Sequence, residues 1–87
     1  MDSIFKALSD KNRRKILEIL KSKDMTVSEI SEHFDFSGAS LSHHLDILKR
    51  SRLVVSERKG QFIVYSLNTS VFEEVTRMLM NVFKKEK

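Results

Sequence analysis

The sequence contains no cysteine, no proline, no tryptophan and only two glycines. Without cysteine there can be no disulfide framework and no thiolate metal site, which excludes the small disulfide-rich secreted proteins. Without proline and with so little glycine, no segment has the composition of a flexible linker or a low-complexity tract. Charges interrupt every hydrophobic stretch, so neither a signal peptide nor a membrane-spanning helix is predicted. These absences predict one cytoplasmic domain that covers residues 1–87.

The chain is short for a protein that must bury a hydrophobic core. Its 87 residues leave room for a single core. A domain of this size buries only about 60 to 65% of the surface that its unfolded chain exposes. We therefore expect a partner subunit to contribute to stability.

The formal net charge is +4, but basic and acidic residues are unevenly distributed. Residues 1–23 contain seven Lys or Arg and three Asp or Glu, residues 24–57 contain three and six, and residues 58–87 contain six and three. A surface with basic flanks is suited to contact phosphate groups at its edges. The cluster Arg13, Arg14 and Lys15 is less specific, and we expect it to form an ordinary solvated charged face.

Hydrophobic spacing and capping residues predict four helices in the first 50 residues. A first short helix precedes Asp10, which can cap a second helix over residues 11–20. The segment 26–29 has capping-box spacing and predicts a third helix that ends near residue 33 or 34. Ser37 is the expected N-cap of a fourth helix from residue 38 to about residue 50. Two short helices separated by three or four residues form a helix-turn-helix.

The second half of the chain predicts a hairpin and one more helix. Residues 53–55 and 62–65 are rich in β-branched and aromatic side chains, and Gly60 near their junction permits a tight turn. Asn68 or Thr69 can cap a last helix that reaches about residue 84. The predicted fold is mainly α with a small β-hairpin wing, a winged helix-turn-helix in the order α-α-α-α-β-β-α.

The fourth helix is predicted to have one buried face and one face available to DNA. Helical spacing places Leu41, Leu45 and Leu48 in a sector about 60° wide, which is expected to face the core. In a helix-turn-helix the N-terminal part of the second helix reaches the bases in the major groove. Basic side chains at the hairpin tip can reach phosphates or an adjacent minor groove, although they also suit a merely solubilising tip. The candidate DNA contacts from this argument are Ser40, Ser42, His43, Arg58 and Lys59.

The adjacent residues His43 and His44 need separate roles. Neighbours on a helix diverge by about 100° and cannot bind one metal ion together. His44 lies about 60° from the direction of Leu41, so we expect a partly packed side chain that is hydrogen-bonded at the edge of the core. His43 is expected to be exposed, either as a DNA contact or as an ordinary surface histidine.

The last helix carries a hydrophobic stripe about 140° wide, which is more than the core of so short a chain needs. One part of the stripe is therefore expected to face a second subunit, although the whole stripe could pack within the chain. A twofold dimer of the first and last helices would hold two reading helices about 34 Å apart, one turn of DNA, which predicts a palindromic operator. The predicted dimer contacts are Ile4, Phe5, Leu8, Val75, Met78, Leu79, Val82 and Phe83.

Four segments of the chain resemble the ArsR/SmtB family of winged helix-turn-helix repressors. They are residues 5–10 (FKALSD), 13–17 (RRKIL), 40–45 (SLSHHL) and 58–67, whose RKGQF and YSL are most similar to the SdpR-type autorepressors. The resemblance implies a homodimeric transcriptional repressor of double-stranded DNA, with the fourth helix in the major groove. It also implies that the DNA contacts of the family fall at Gly38, Ala39, Ser40, Ser42 and His43.

This sequence departs from the family pattern in ways that affect function. Gly38 and Ala39 can offer only backbone or a methyl group to a base, and Lys11 replaces a proline that usually starts the second helix. Metal sensing, which is common in the family, is not expected, because the third helix has no cysteine motif and the last helix has no histidine. No cofactor is predicted, and an inducer is expected to be a regulatory partner protein or a small molecule.

Two other functional classes remain as alternatives. A winged-helix module that binds protein without DNA specificity is favoured by the acidic middle segment, which includes Glu29, Glu32, Asp35 and Asp46. We expect Asp46, on the reading face, to be solvated. An enzyme is not indicated, because no cysteine nucleophile, glycine-rich phosphate loop or paired-carboxylate motif is present.

Overall fold

The computed structural model describes residues 2–84. These residues contain eight helices and strands. They are α1 (Asp2–Leu8), α2 (Lys11–Ser22), β1 (Met25–Thr26), α3 (Val27–Ser31), α4 (Gly38–Arg50), β2 (Val54–Lys59), β3 (Phe62–Leu67) and α5 (Thr69–Phe83). The mainly helical fold with a hairpin wing is confirmed. The predicted element order was wrong in one respect, because it omitted β1.

The omitted strand extends the hairpin into a three-stranded antiparallel sheet in the order β1-β3-β2. Met25 pairs with Tyr65 and Thr26 with Val64. A strand of two residues has no alternating pattern to detect, and its partner lies about 40 residues further along the chain. The pairing ties the start of the helix-turn-helix to the base of the wing.

Side-chain caps start the helices where the sequence predicts them. The Asp10 carboxylate accepts hydrogen bonds from the amides of residues 12 and 13 at 2.8 and 3.1 Å. Both bonds of the Thr26 capping box form, since Glu29 N donates to Thr26 Oγ1 at 3.2 Å and Thr26 N donates to Glu29 Oε1 at 2.9 Å. Ser37 Oγ accepts from the third amide of α4, and Asn68 caps α5. Each cap satisfies amides that have no partner inside their own helix.

Two predicted helix ends were wrong. Helix α2 continues two residues beyond the predicted end, to Ser22. Helix α3 ends at Ser31 rather than near residue 33 or 34, because the His33 and Phe34 amides donate to the carbonyls three residues back, at 3.0 and 3.1 Å. Such bonds tighten the chain into a turn and stop the α-helix. The break before α4 is therefore six residues long, rather than three or four.

One hydrophobic core joins the first four helices to the base of the sheet. The predicted inner face of α4 is confirmed, since Leu41, Leu45 and Leu48 are at most 2% exposed. Helix α4 ends at Arg50, and Arg52, which has a positive φ of 67°, turns the chain toward β2. The core residues are Ala7, Ile16, Leu17, Leu20, Met25, Ile30, Leu41, Leu45, Leu48, Leu53 and Val54.

Helix α5 extends away from this core. The molecule measures 54 × 25 × 21 Å, and its radius of gyration is 14.3 Å, against about 12 Å for a compact chain of this length. Val75 is buried, but Val82 is 67% exposed and Phe83 79% exposed. The hydrophobic stripe of α5 is thus divided between a part that packs within the chain and an end that projects from it.

Candidate nucleic-acid interface

The N-terminal half of α4 presents an exposed surface of small side chains. Gly38, Ala39, Ser42 and His43 are exposed, and a Cβ atom at position 38 would face open space. Ser40 is half-buried, and its hydroxyl accepts a hydrogen bond from Ser37 Oγ at 3.2 Å. The predicted α4 contacts therefore lie together at the exposed N-terminal end of the helix, except that Ser40 is half-buried and hydrogen-bonded to the N-cap residue Ser37.

The two histidines of α4 separate as the sequence predicts. His43 is exposed, whereas His44 is half-buried, with its ring 5.4 Å from the Phe36 ring. His44 Nδ1 lies 3.3 Å from Arg13 Nη1. Because a guanidinium can only donate, Nδ1 must be the acceptor and the neutral imidazole carries its proton on Nε2. His44 is thus a packing residue that holds Arg13.

Burial lowers the pKa of His44, and the neighbouring Arg13 and His43 lower it further, while the Asp10 carboxylate opposes them. The folded pKa therefore lies below that of the unfolded chain, about 6.5. Below about pH 6.5 the unfolded chain binds more protons than the folded one, so stability falls as the pH falls toward the folded pKa.

We expect His44→Gln to lose less stability on acidification than the natural protein does. The free energy of unfolding is measured by urea titration at about pH 7.5 and about pH 5.5. His43→Gln is the matched control at the exposed neighbour and should change the pH dependence much less than His44→Gln does, because His43 is the smallest of the causes that shift the pKa of His44. An unchanged pH dependence in His44→Gln would show that this histidine is not the group responsible.

The basic cluster at the start of α2 is only partly the solvated face that the sequence predicts, because Arg14 and Lys15 are exposed but Arg13 is half-buried, and all three contact backbone carbonyls. Arg13 Nε donates to the Ala7 carbonyl at 2.8 Å, and Arg14 Nη1 donates to the Leu8 carbonyl at 2.7 Å. Lys15 Nζ lies 3.3 Å from the His33 carbonyl and 5.0 Å from the centre of the Phe34 ring.

These contacts fix α1 to α2. The last carbonyls of a helix have no hydrogen-bond donor within that helix. Here the guanidinium groups of Arg13 and Arg14 donate to the last two carbonyls of α1. The signal in the sequence was a short helix without a glycine or proline at its end, followed by two arginines in the first turn of the next helix.

The wing carries its two basic residues on opposite faces. Arg58 pairs with Ile63 and Lys59 with Phe62 across the hairpin, and successive side chains of a strand point to opposite sides. Arg58 Nε donates to the Gly60 carbonyl at 3.2 Å, and Lys59 Nζ lies 3.9 Å from Glu57 Oε1. Both basic side chains are exposed, so each is available to a different surface beside the hairpin.

Gly60 has a φ of +63°, a left-handed conformation that glycine adopts without strain. It closes the tight turn between β2 and β3. The tip also exposes two large hydrophobic side chains, Phe62 and Ile63, which the sequence argument had assigned only to the strand.

Comparison with known proteins identifies the family. Residues 10–56 match the family model described as bacterial regulatory protein, arsR family. The chain is 51% identical to the transcriptional repressor SdpR of Bacillus subtilis over 85 residues, which are 98% of this chain and 94% of that protein. The chain belongs to the ArsR family. It is a DNA-binding transcription regulator, and not an enzyme.

Other members of the ArsR family agree with this assignment. An arsenical resistance operon repressor of Staphylococcus aureus is 33% identical over 79 residues, 91% of this chain and 76% of that protein. The solved structure of an ArsR-like transcriptional regulator from Rhodococcus sp. RHA1 superposes with a TM-score of 0.85 at 30% identity, over 93% of this chain and 76% of that chain. The winged-helix fold is therefore shared along nearly the whole chain.

Two acidic residues of the middle segment have hydrogen-bond and ion-pair partners within this ArsR-family protein. Glu29 belongs to the capping box and lies 3.7 Å from Lys23 Nζ. Asp46, expected to be solvated, is exposed but accepts hydrogen bonds from Arg50, one helical turn later. These pairings weaken the main argument for a module that binds protein alone, because the charge of Asp46 on the reading face is balanced locally.

No three His, Asp or Glu side chains are grouped so that they could hold a metal ion, as far as residues 2–84 are concerned. His44 Nδ1 already lies against Arg13, and His33 is exposed. Over the same residues, no helix is both long enough and apolar enough to cross a membrane.

Proposed function

We propose that this ArsR-family protein represses transcription in the cytoplasm, as a homodimer on a palindromic operator. The observation that carries the proposal is the exposed N-terminal face of α4, with Ser42 and His43, in a chain that also has a wing with exposed basic side chains. An α-helix fits the major groove, where each base pair presents a distinct set of donors and acceptors.

Ser42 and His43 are proposed to contact base edges, while Arg58 and Lys59 contact phosphates. Because Arg58 and Lys59 lie on opposite faces of the hairpin, a wing in the minor groove would direct one toward each strand. Gly38 and Ala39 permit close approach of the backbone but add no polar group. Direct reading of bases is therefore sparse, and we infer that DNA shape and phosphate contacts supply part of the specificity.

The dimer is proposed to form through the projecting end of α5 and through α1. Phe5 and Leu79 are large exposed hydrophobics in the single chain, as are Val82 and Phe83 at the end of α5. Ile4, Leu8 and Met78 are half-buried and can complete the contact. Val75 is already buried in its own chain, so it supports the position of α5 rather than the partner. A twofold axis would present each half-site contact twice.

Release from DNA is proposed to be caused by the binding of a partner protein or a small molecule rather than a metal ion. Support comes from the donor groups in the chain, which include no cysteine and no histidine in α5. Operator affinity that is the same with a chelator and with added zinc would support this part of the proposal.

The proposal is tested by titrating the protein with an inverted-repeat fragment from the promoter that it regulates. Fragments retained by the purified protein and then sequenced would supply that repeat. Specific sites are typically bound at least about 10³-fold more tightly than random DNA at physiological salt. Equal affinity for the repeat and for a scrambled fragment of the same composition would refute sequence-specific repression.

We expect His43→Ala to lower operator affinity by about 1 to 3 kcal/mol, while binding to scrambled DNA stays nearly unchanged. The reason is that a base contact contributes only when the correct base is present. Lys59→Ala is the contrasting variant, because loss of a phosphate contact should weaken both DNAs alike. Anisotropy titrations of both variants on both fragments measure the difference. Natural operator affinity in His43→Ala would remove this histidine from the interface.

A further inference from the structure

A cleft of about 440 Å³ lies between α1 and α4, directly beside the reading face. Lys6 of α1, Arg13 of α2 and Arg50 of α4 line it together with His43, and Ile47 provides an apolar wall. The lining includes three basic side chains and no acidic one. The cleft therefore has the charge of an anion-binding site, and it shares His43 with the candidate DNA surface.

The three cations of the cleft are not equally free. The Arg13 guanidinium already bonds the Ala7 and Lys6 carbonyls and His44. Arg50 pairs with Asp46 on the exposed surface of α4. An exposed ion pair at this helical spacing is weak, so Arg50 can exchange Asp46 for another anion. Lys6 is exposed and makes no salt bridge within residues 2–84. Lys6 is thus the free cation of the cleft.

The part of α4 that is proposed to contact bases, residues 38–48, carries no positive charge other than any on its two histidines. Residues 38–48 contain no Lys or Arg, and their one charged side chain is Asp46. A base can reach His43 only if the phosphates of its strand pass close to α4, and a polyanion needs cations along that path. The cleft places Lys6, Arg13 and Arg50 on a common surface with His43.

We propose that the cleft binds a DNA backbone phosphate next to the base that His43 contacts, with Lys6 as the principal ligand and Arg50 as the second. This inference rests on the proposed function and extends the DNA interface from α4 and the wing to α1. Arg13 contributes positive charge and holds α1 in place, but its own donors are already used.

The test measures operator affinity for Lys6→Gln over a series of salt concentrations. Each phosphate contact contributes about 0.9 to the slope of log affinity against log salt. We expect the slope of Lys6→Gln to be smaller by about one, with an unchanged ratio of operator to scrambled binding. Lys6→Arg should restore most of the slope. Lys21→Gln, an exposed lysine in the separate groove beside Leu67 and Phe72, is the matched control and should keep the natural slope.

Two results would overturn the inference. The first is a natural salt slope in Lys6→Gln while His43→Ala still loses operator affinity, since the proposed function would stand without the cleft. The second is a Lys6→Gln protein that keeps the natural salt slope for DNA but binds inorganic phosphate more weakly than the natural protein does. Phosphate binding is followed through the NMR shifts of the His43 ring, and this result would assign the cleft to a small anion instead of DNA. If the natural protein does not prefer the operator over scrambled DNA, the proposed function itself fails, and this outcome is recognised before any Lys6 variant is made.

Discussion

Val82→Glu is expected to convert the protein to a monomer and to lower its operator affinity by about 100-fold or more. Val82 is 67% exposed in the single chain, so the substitution leaves the core of the protomer intact. In the proposed dimer it would bury a carboxylate without a partner, which strongly disfavours association. Two linked half-site contacts commonly bind 10² to 10⁴ times more tightly than one, and the monomer would lose that gain.

Light scattering after size-exclusion chromatography measures the oligomeric state, and anisotropy with operator DNA measures the affinity. Asn81→Glu is the matched control, because it adds the same charge one residue earlier, on the polar side of α5. It should remain dimeric and bind the operator normally. A dimeric Val82→Glu protein with natural affinity would exclude this end of α5 from the interface.

Local patterns in the sequence were sufficient to predict α4 and its two faces. The leucine spacing that identified Leu41, Leu45 and Leu48 as buried also identified the exposed side, since a helix has a fixed period. The caps at Asp10, Thr26 and Ser37 were equally predictable, because each depends only on residues within three positions.

Features that depend on distant parts of the chain were not predictable in this way. Strand β1 exists because Met25 and Thr26 find partners in β3, and a pattern confined to two residues carries no such information. Arg13 looked like a surface charge, but the fold brings it against the end of α1 and His44. The cleft lined by Lys6, Arg13 and Arg50 was missed for the same reason, since these cations come from three separate helices.

The hydrophobic stripe of α5 shows a limit of helical periodicity. The sequence grouped Val75 with Val82 and Phe83, but the first is buried in the chain and the other two are exposed. Helical periodicity predicts the direction in which a side chain points around the helix axis. It does not predict whether the core extends far enough along the axis to cover that side chain. Met80, outside the predicted stripe, is 66% exposed, so the end of α5 is apolar over more of its circumference than the stripe alone suggests.

Leu48→Ala is expected to lower the free energy of unfolding by about 2 to 5 kcal/mol. The Leu48 side chain is fully buried, and its removal loses hydrophobic transfer energy and leaves a cavity where α4 meets the core. The total free energy of unfolding of a protein domain is about 5 to 15 kcal/mol, so Leu48→Ala should lose a large share of the stability. Lys49→Ala, at the exposed neighbouring position, is the control and should change stability by less than about 0.5 kcal/mol.

Urea titrations at one fixed protein concentration measure this loss, since the proposed dimer would make stability depend on concentration. Operator affinity is then measured at a temperature where Leu48→Ala remains folded. If α4 is held by its leucine face and reads DNA by its opposite face, folded Leu48→Ala should bind with nearly natural specificity, while His43→Ala keeps natural stability and loses specificity. A loss of stability below about 1 kcal/mol in Leu48→Ala would contradict the close packing of α4 against the core.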